Sequence, residues 1–224
     1  MNFRSLGLAL FLTTASPALL PGAAPAAFAQ QKQNITLEDI WQKGTFSARS
    51  VPGFNWMKDG RYYSSLSQGN LVQNDVTTGQ PVKTLVSGTD LKLPGQTQPL
   101  AVDGYSFNAD ETKILFSTDT EPIYRRSSKS YFFVYDQGSK QLVPLSKNAG
   151  KQLYATFSPD GKRVAFVRDN NLFVVDLATM QETAVTTDGV QNRIINGGTD
   201  WVYEEEFEFA QGFQWSPDSR QIAY

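Results

Sequence analysis

YATFSPDGKRVAFVRDNNLFVVDLATMQETAVT, residues 154–186, consists of short apolar segments punctuated by turn residues. Tyr154 to Phe157 leads into Ser158-Pro159-Asp160-Gly161. Pro159 and Asp160 suit the early positions of a type I turn, and Gly161 supplies a residue that tolerates positive φ. Arg163 to Arg168 (RVAFVR) reads as the next strand, and Asp169-Asn170-Asn171 as the turn after it. Leu172 to Leu177 (LFVVDL) makes another strand, and Ala178-Thr179-Met180-Gln181 turns into Glu182 to Thr186. Four β-segments with tight connections are what an antiparallel meander requires.

The same shape recurs along the chain. An aromatic residue, two residues, an Asp and one further residue occur at Trp56–Gly60, Phe107–Glu111, Phe157–Gly161 and Trp215–Ser219. The Asp positions are 59, 110, 160 and 218, so the intervals are 51, 50 and 58. A near-constant period of this size marks a repeat array, and one built of strands points to propeller blades. The expected fold is all-β, a partial β-propeller of four-stranded antiparallel blades. The repeated Asp and aromatic residues shape turns and fill gaps between blades. Two departures mark excursions: Thr118 to Lys129 in the second repeat, with Arg125-Arg126, and the longer third interval, with Glu204-Glu205-Glu206. Insertions in repeat folds map to loops, often on the binding face.

The chain has 224 residues, 19% charged and 12% aromatic, with a net charge of −2. That is globular and turn-rich, with no polybasic footprint for nucleic acid or anionic lipid. There is no Cys and no His. Disulfides, thiol nucleophiles and any Ser-His-Asp unit drawn from this chain alone are excluded. Zinc would have to be held by carboxylates only, and no metal or cofactor is expected.

Residues 1–29 read as an export signal. Arg4 gives a short basic start, Leu6 to Leu12 an apolar run, and Ala27-Phe28-Ala29 a small-x-small site before Gln30. Pro17, Pro21 and Pro25 oppose a stable spanning helix. The expected location is secreted or periplasmic, in a bacterium. Cleavage after Ala29 leaves 19 basic and 22 acidic residues, a charge of −3. Residues 30–45 form a lead segment, where Thr36 and Asp39 mark a short helix with Leu37, Ile40 and Trp41 on one face.

Thr199-Asp200-Trp201-Val202-Tyr203-Glu204-Glu205-Glu206 is the chemically unusual segment. Adjacent like charges repel and resist desolvation, so the cluster needs open solvent or a cationic partner. A solvated acidic turn is the plain reading, and a substrate ammonium group is the functional one.

Asp200 to Glu206, followed by Trp215-Ser216-Pro217-Asp218, resembles the N-terminal β-propeller of the dipeptidyl peptidase IV family, in its bacterial members. Tyr124-Arg125-Arg126-Ser127 followed by Tyr131 to Asp136 is similar to the family's arginine-bearing segment. The resemblance covers essentially the whole mature chain, with residues 46–224 as an incomplete propeller. It implies a propeller capping an α/β-hydrolase domain, a peptide substrate with a free N-terminus, and a homodimer for the full-length protein. It implies that Glu205 and Glu206 hold the substrate's amine, and that an arginine contacts a substrate carbonyl. Spacing back from Tyr135-Asp136 points to Arg125, with Arg126 beside it as the alternative. On a strand, Glu205 and Glu206 would face opposite ways, whereas on a helical turn they stand about 100° apart and can converge. A helical or irregular excursion is therefore expected at Tyr203–Phe207, with Glu204 facing solvent and Trp201 and Tyr203 packing.

The serine, aspartate and histidine of such an enzyme belong to the hydrolase domain, so the chain reads as an inactive N-terminal fragment of three blades and the start of a fourth. Its function would be substrate gating in a secreted serine exopeptidase that releases dipeptides with Pro or Ala second. The alternatives are a non-catalytic periplasmic propeller that binds proteins, which the repeats alone would fit, and an oligopeptidase that cleaves internally.

Overall fold

The structure, a computed structural model, describes residues 34–48 and 53–224. The export signal expected at residues 1–29 lies outside the described residues. The chain divides into two compact units, Met1–Arg49 and Ser50–Tyr224. In the first, α1 (Leu37–Trp41) begins with a reciprocal cap. The Asp39 N–H donates to Thr36 Oγ1 and the Thr36 N–H to Asp39 Oδ2, each at 3.1 Å. Among the described residues no helix is long and apolar enough to cross a membrane.

The second unit is all-β apart from short helical turns. Its described strands form three four-stranded antiparallel sheets, each a meander of sequence neighbours. The first holds β1 (Phe54–Trp56), β2 (Tyr62–Ser67), β3 (Asn70–Asp75) and β4 (Pro81–Val86). The second holds β5 (Val102–Phe107), β6 (Lys113–Pro122), β7 (Ser128–Asp136) and β8 (Gln141–Pro144). The third holds β9 (Leu153–Phe157), β10 (Arg163–Arg168), β11 (Asn171–Asp176) and β12 (Gln181–Ala184). A two-stranded pair, β13 (Gln214–Trp215) and β14 (Ile222–Ala223), follows.

Strand boundaries have local causes. β11 ends at Asp176 and not at the expected Leu177, because Asp176 Oδ1 takes the N–H groups of Ala178 and Thr179, each at 3.0 Å, and starts the turn. Asp75 does the same at the end of β3, and Asp136 at the end of β7 takes the N–H of Ser139. These three residues are a second repeat series.

The sheets pack face to face, and side-chain alternation divides each strand between two cores. In β6, Ile114 and Phe116 join Leu71 and Val86 of the first sheet, whereas Leu115 joins Val164, Phe166 and Val175 of the third. β10 repeats the device: Val164 and Phe166 face the second sheet, and Ala165 and Val167 pack with Phe213 and Trp215. That is why RVAFVR is apolar without interruption at its centre.

Candidate functional site

Two excursions from the sheets meet. The first is the β6–β7 hairpin, whose strands run ten and nine residues against six for β10 and β11. Beyond the Thr118–Tyr131 pair the register shifts at Asp119, which is left-handed at φ 51°, and pairing resumes at Glu121–Lys129. Lys151 Nζ reaches Asp119 at 2.8 Å and Glu121 at 2.6 Å, and Lys129 meets Glu121 at 2.9 Å. Lys151 first, and then Lys129, hold the Glu121 carboxyl down to about 2. The Ile123 N–H donates to the Ser127 carbonyl at 2.9 Å and closes the tip that carries Arg125 and Arg126.

The second excursion is α2 (Trp201–Phe207), a helical turn as expected. Asp200 caps its start, with Oδ1 accepting from the Tyr203 N–H at 3.1 Å. Glu208 ends it in a left-handed conformation at φ 56°. Thr199 Oγ1 donates to the Phe209 carbonyl at 2.6 Å and ties the two ends together.

The helical rotation gives three adjacent carboxylates three environments. Glu204 is 1% exposed. Its Oε1 accepts the N–H groups of Arg126 at 2.5 Å and Ser127 at 2.8 Å. Glu205 Oε2 lies 3.3 Å from Arg125 Nε, and Arg125 remains largely in solvent. Glu206 is exposed, and among the described residues it has no ion-pair partner. Arg126 turns to Glu208, 2.8 Å away. The two arginines thus separate: Arg125 stands with the candidate carboxylates, while Arg126 reaches past them to the helix end.

Two expectations are corrected. Glu204 does not face solvent, because two backbone donors at the hairpin tip take its carboxylate. Trp201 and Tyr203 are exposed instead of packed, because α2 stands out from the sheets and turns its Glu204 side to the hairpin. Tyr203 does stack obliquely on Phe207, with ring centroids 5.5 Å apart. The sequence reading also missed Ser127 and Tyr154. Nothing in the sequence marks them, since Ser127 lies 77 residues from Glu204 and Tyr154 lies on a different strand, β9.

Burial acts to raise the Glu204 carboxyl, but the Ser127 side chain, the two N–H donors and the charge of Arg126 together hold it below its ordinary value. Burial first, and the Glu204 charge second, push the Tyr154 hydroxyl up to about 12. Ser127 Oγ is buried close to Glu204 and Tyr154 but makes no well-formed hydrogen bond. Among the described residues no group of three His, Cys, Asp or Glu is placed to hold a metal. Among the described residues, two concave surfaces lie along β11, β12 and the β13–β14 pair. The arrangement can therefore offer carboxylate acceptors and a guanidinium to a ligand, and it contains no nucleophile with a base.

Residues 108–224 match the model of the dipeptidyl peptidase IV (DPP IV) N-terminal region. The crystal structure of Porphyromonas gingivalis dipeptidyl peptidase 4 superposes with a TM-score of 0.75 at 38% identity, over 84% of this chain and 26% of that one. Dipeptidyl peptidase 4 of Trichophyton equinum is 32% identical over 100% of this chain and 28% of its own length. Human prolyl endopeptidase FAP is 28% identical over 85% of this chain and 24% of its own. The chain thus spans about a quarter of the length of these relatives. The family model takes in the arginine hairpin, the capped acidic helix and the last two strand repeats, and through it this chain belongs to the dipeptidyl peptidase IV N-terminal family.

Proposed function

We propose that this chain is the N-terminal substrate-gating part of a secreted serine exopeptidase that releases N-terminal dipeptides with Pro or Ala at the second position. The observation that carries this is the meeting of Arg125 with Glu205 at 3.3 Å beside an exposed Glu206. Two carboxylates on one helical turn are an acceptor pair for an ammonium group, and charge-assisted hydrogen bonds of this kind are among the stronger ones available. Arg125 offsets their mutual repulsion and keeps guanidinium donors for a peptide carbonyl. Fixing the amine at one end of a cavity sets how many residues reach the nucleophile, which is how such an enzyme counts two from the terminus.

In this reading residues 1–29 direct export, 30–45 are a lead segment, and 46–224 are propeller blades. The location is then secreted or periplasmic. The acyl transfer belongs to an α/β-hydrolase region outside these residues, because the 224 residues contain no histidine. These residues alone are then inactive.

The test is hydrolysis of a Gly-Pro amide by the full-length protein, with the substrate's N-terminus free or acetylated. Acetylation removes the charge and is expected to abolish most turnover; equal rates overturn the amine-anchoring role. The name of the human relative, a prolyl endopeptidase, favours a second reading in which internal bonds are cut. Faster cleavage of the acetylated substrate would select it.

A further inference from the structure

Glu204 is not among the groups assigned to substrate, yet it is the one buried acidic residue among those described. A buried carboxylate without partners is strongly unfavourable. Its neighbour Arg126 directs its guanidinium to Glu208, so no cationic side chain lies within ion-pair distance of Glu204 among the described residues. Both short contacts are to main-chain donors, the N–H groups of Arg126 and Ser127. The Arg126 N–H lies in the same rigid peptide plane as the Arg125 carbonyl and Cα. Whatever fixes that N–H fixes where the Arg125 side chain starts. Glu204 also directly precedes Glu205 on α2. One carboxylate therefore registers both sides of the site at once.

We propose that Glu204 is a positioning residue: it locks the Arg125–Ser127 backbone to α2, so that Arg125, Glu205 and Glu206 are held in the geometry that receives a peptide's free amine. This rests on the reading of those three residues given above. The Arg126–Glu208 pair supplements the lock from outside, but both groups are accessible to water and such pairs contribute little. Main-chain acceptance by a buried carboxylate is the stronger constraint, because it leaves no side-chain rotamer on the hairpin free to relax.

The test uses the full-length protein as wild type, E204A, E204Q and E205Q, with kcat and KM measured on free and acetylated Gly-Pro amides. E204A is expected to raise KM for the free-amine substrate by about tenfold or more, the scale of a misplaced binding group. The slow rate on the acetylated substrate, which keeps the carbonyl that Arg125 serves but lacks the charged amine, is expected to fall by a smaller factor. E204Q, whose amide oxygen still accepts from both N–H groups, is expected to recover most of the affinity. Amide exchange at Arg126 and Ser127 is expected to accelerate in E204A and not in E204Q. E204D keeps the charge but shortens the reach, and carries the same test where E204A does not fold. A KM unchanged in E204A or E204D, or equal losses on both substrates, overturns the positioning role. If E205Q loses the preference for a free amine while E204A keeps it, only that role falls. If E205Q keeps it, the clamp falls and the role with it.

Discussion

Arg168 and Glu204 are the charged residues buried among those described, and they meet the cost of burial in different ways. Arg168 pairs with Glu182, bonds Ser146 Oγ at 2.9 Å and lies 4.4 Å from the centre of the Phe173 ring. Glu204 relies on backbone donors, with Ser127, Tyr154 and Arg126 as its polar surroundings. Its folded pKa lies below the ordinary 4.5, so the unfolded chain binds the proton more readily. Its stabilising contribution is therefore complete above about pH 4.5 and disappears as pH falls through the lower folded value. Denaturant midpoints of wild type and E204Q should differ by a constant amount from pH 7 to about pH 5 and draw together as pH falls from there through the lower folded value. A gap that persists in acid would contradict this assignment. The acidic triplet is conspicuous in the sequence, but its division of labour is not. Glu204, Glu205 and Glu206 are chemically identical, and only the direction in which α2 meets the hairpin distinguishes them.

At the scale of single turns, the four repeated aspartates share one function. Asp59, Asp110, Asp160 and Asp218 each accept the N–H two residues ahead, and the residue after each is left-handed. That position is Gly60, Glu111, Gly161 or Ser219. Where it is not glycine, its side chain reaches back to the preceding repeat. Glu111 Oε1 accepts the Lys58 N–H, and Ser219 Oγ accepts the Asp160 N–H. Gly161 has no side chain, and a Cβ there would stand 2.7 Å from Asn108 Nδ2. Gly161→Ala should therefore cost more than the roughly 1–2 kcal/mol of a left-handed alanine. Gly60→Ala meets nothing within 4 Å and should cost only that. Chemical denaturation of the two variants measures the difference, and equal losses would remove the inter-repeat contact. The turn chemistry and the 51- and 50-residue spacing are readable from the sequence because they are local. The stitching between repeats joins residues more than fifty apart, and no local rule encodes it.

Across the second unit, stability should follow the stacking of sheets. Among the described residues, the second and third sheets each have a core on both faces, whereas the first has one on a single face. Repeat arrays derive much of their stability from nearest-neighbour interfaces, so the amides of β6, β7 and β10 should exchange slowest and those of β1 and β4 fastest. Hydrogen exchange resolved by peptide checks this order, and slowest exchange in β1 or β4 would refute it. The uninterrupted apolar runs Ile114–Phe116 and Val164–Val167 already signal two-sided burial in the sequence. Which neighbour receives which side chain is a matter of alternation, and that has a consequence for the arginine hairpin. β6 serves two cores before it reaches the tip, so its length obeys a parity rule. One residue gained or lost before Thr118 would exchange Ile114 and Phe116 with Leu115, and both interfaces would receive the wrong side chains. The irregularity at Asp119 is the first place where an odd change leaves the cores intact. As far as the two cores are concerned, the reach of Arg125 can therefore change by single residues beyond that point, and only in even steps below it.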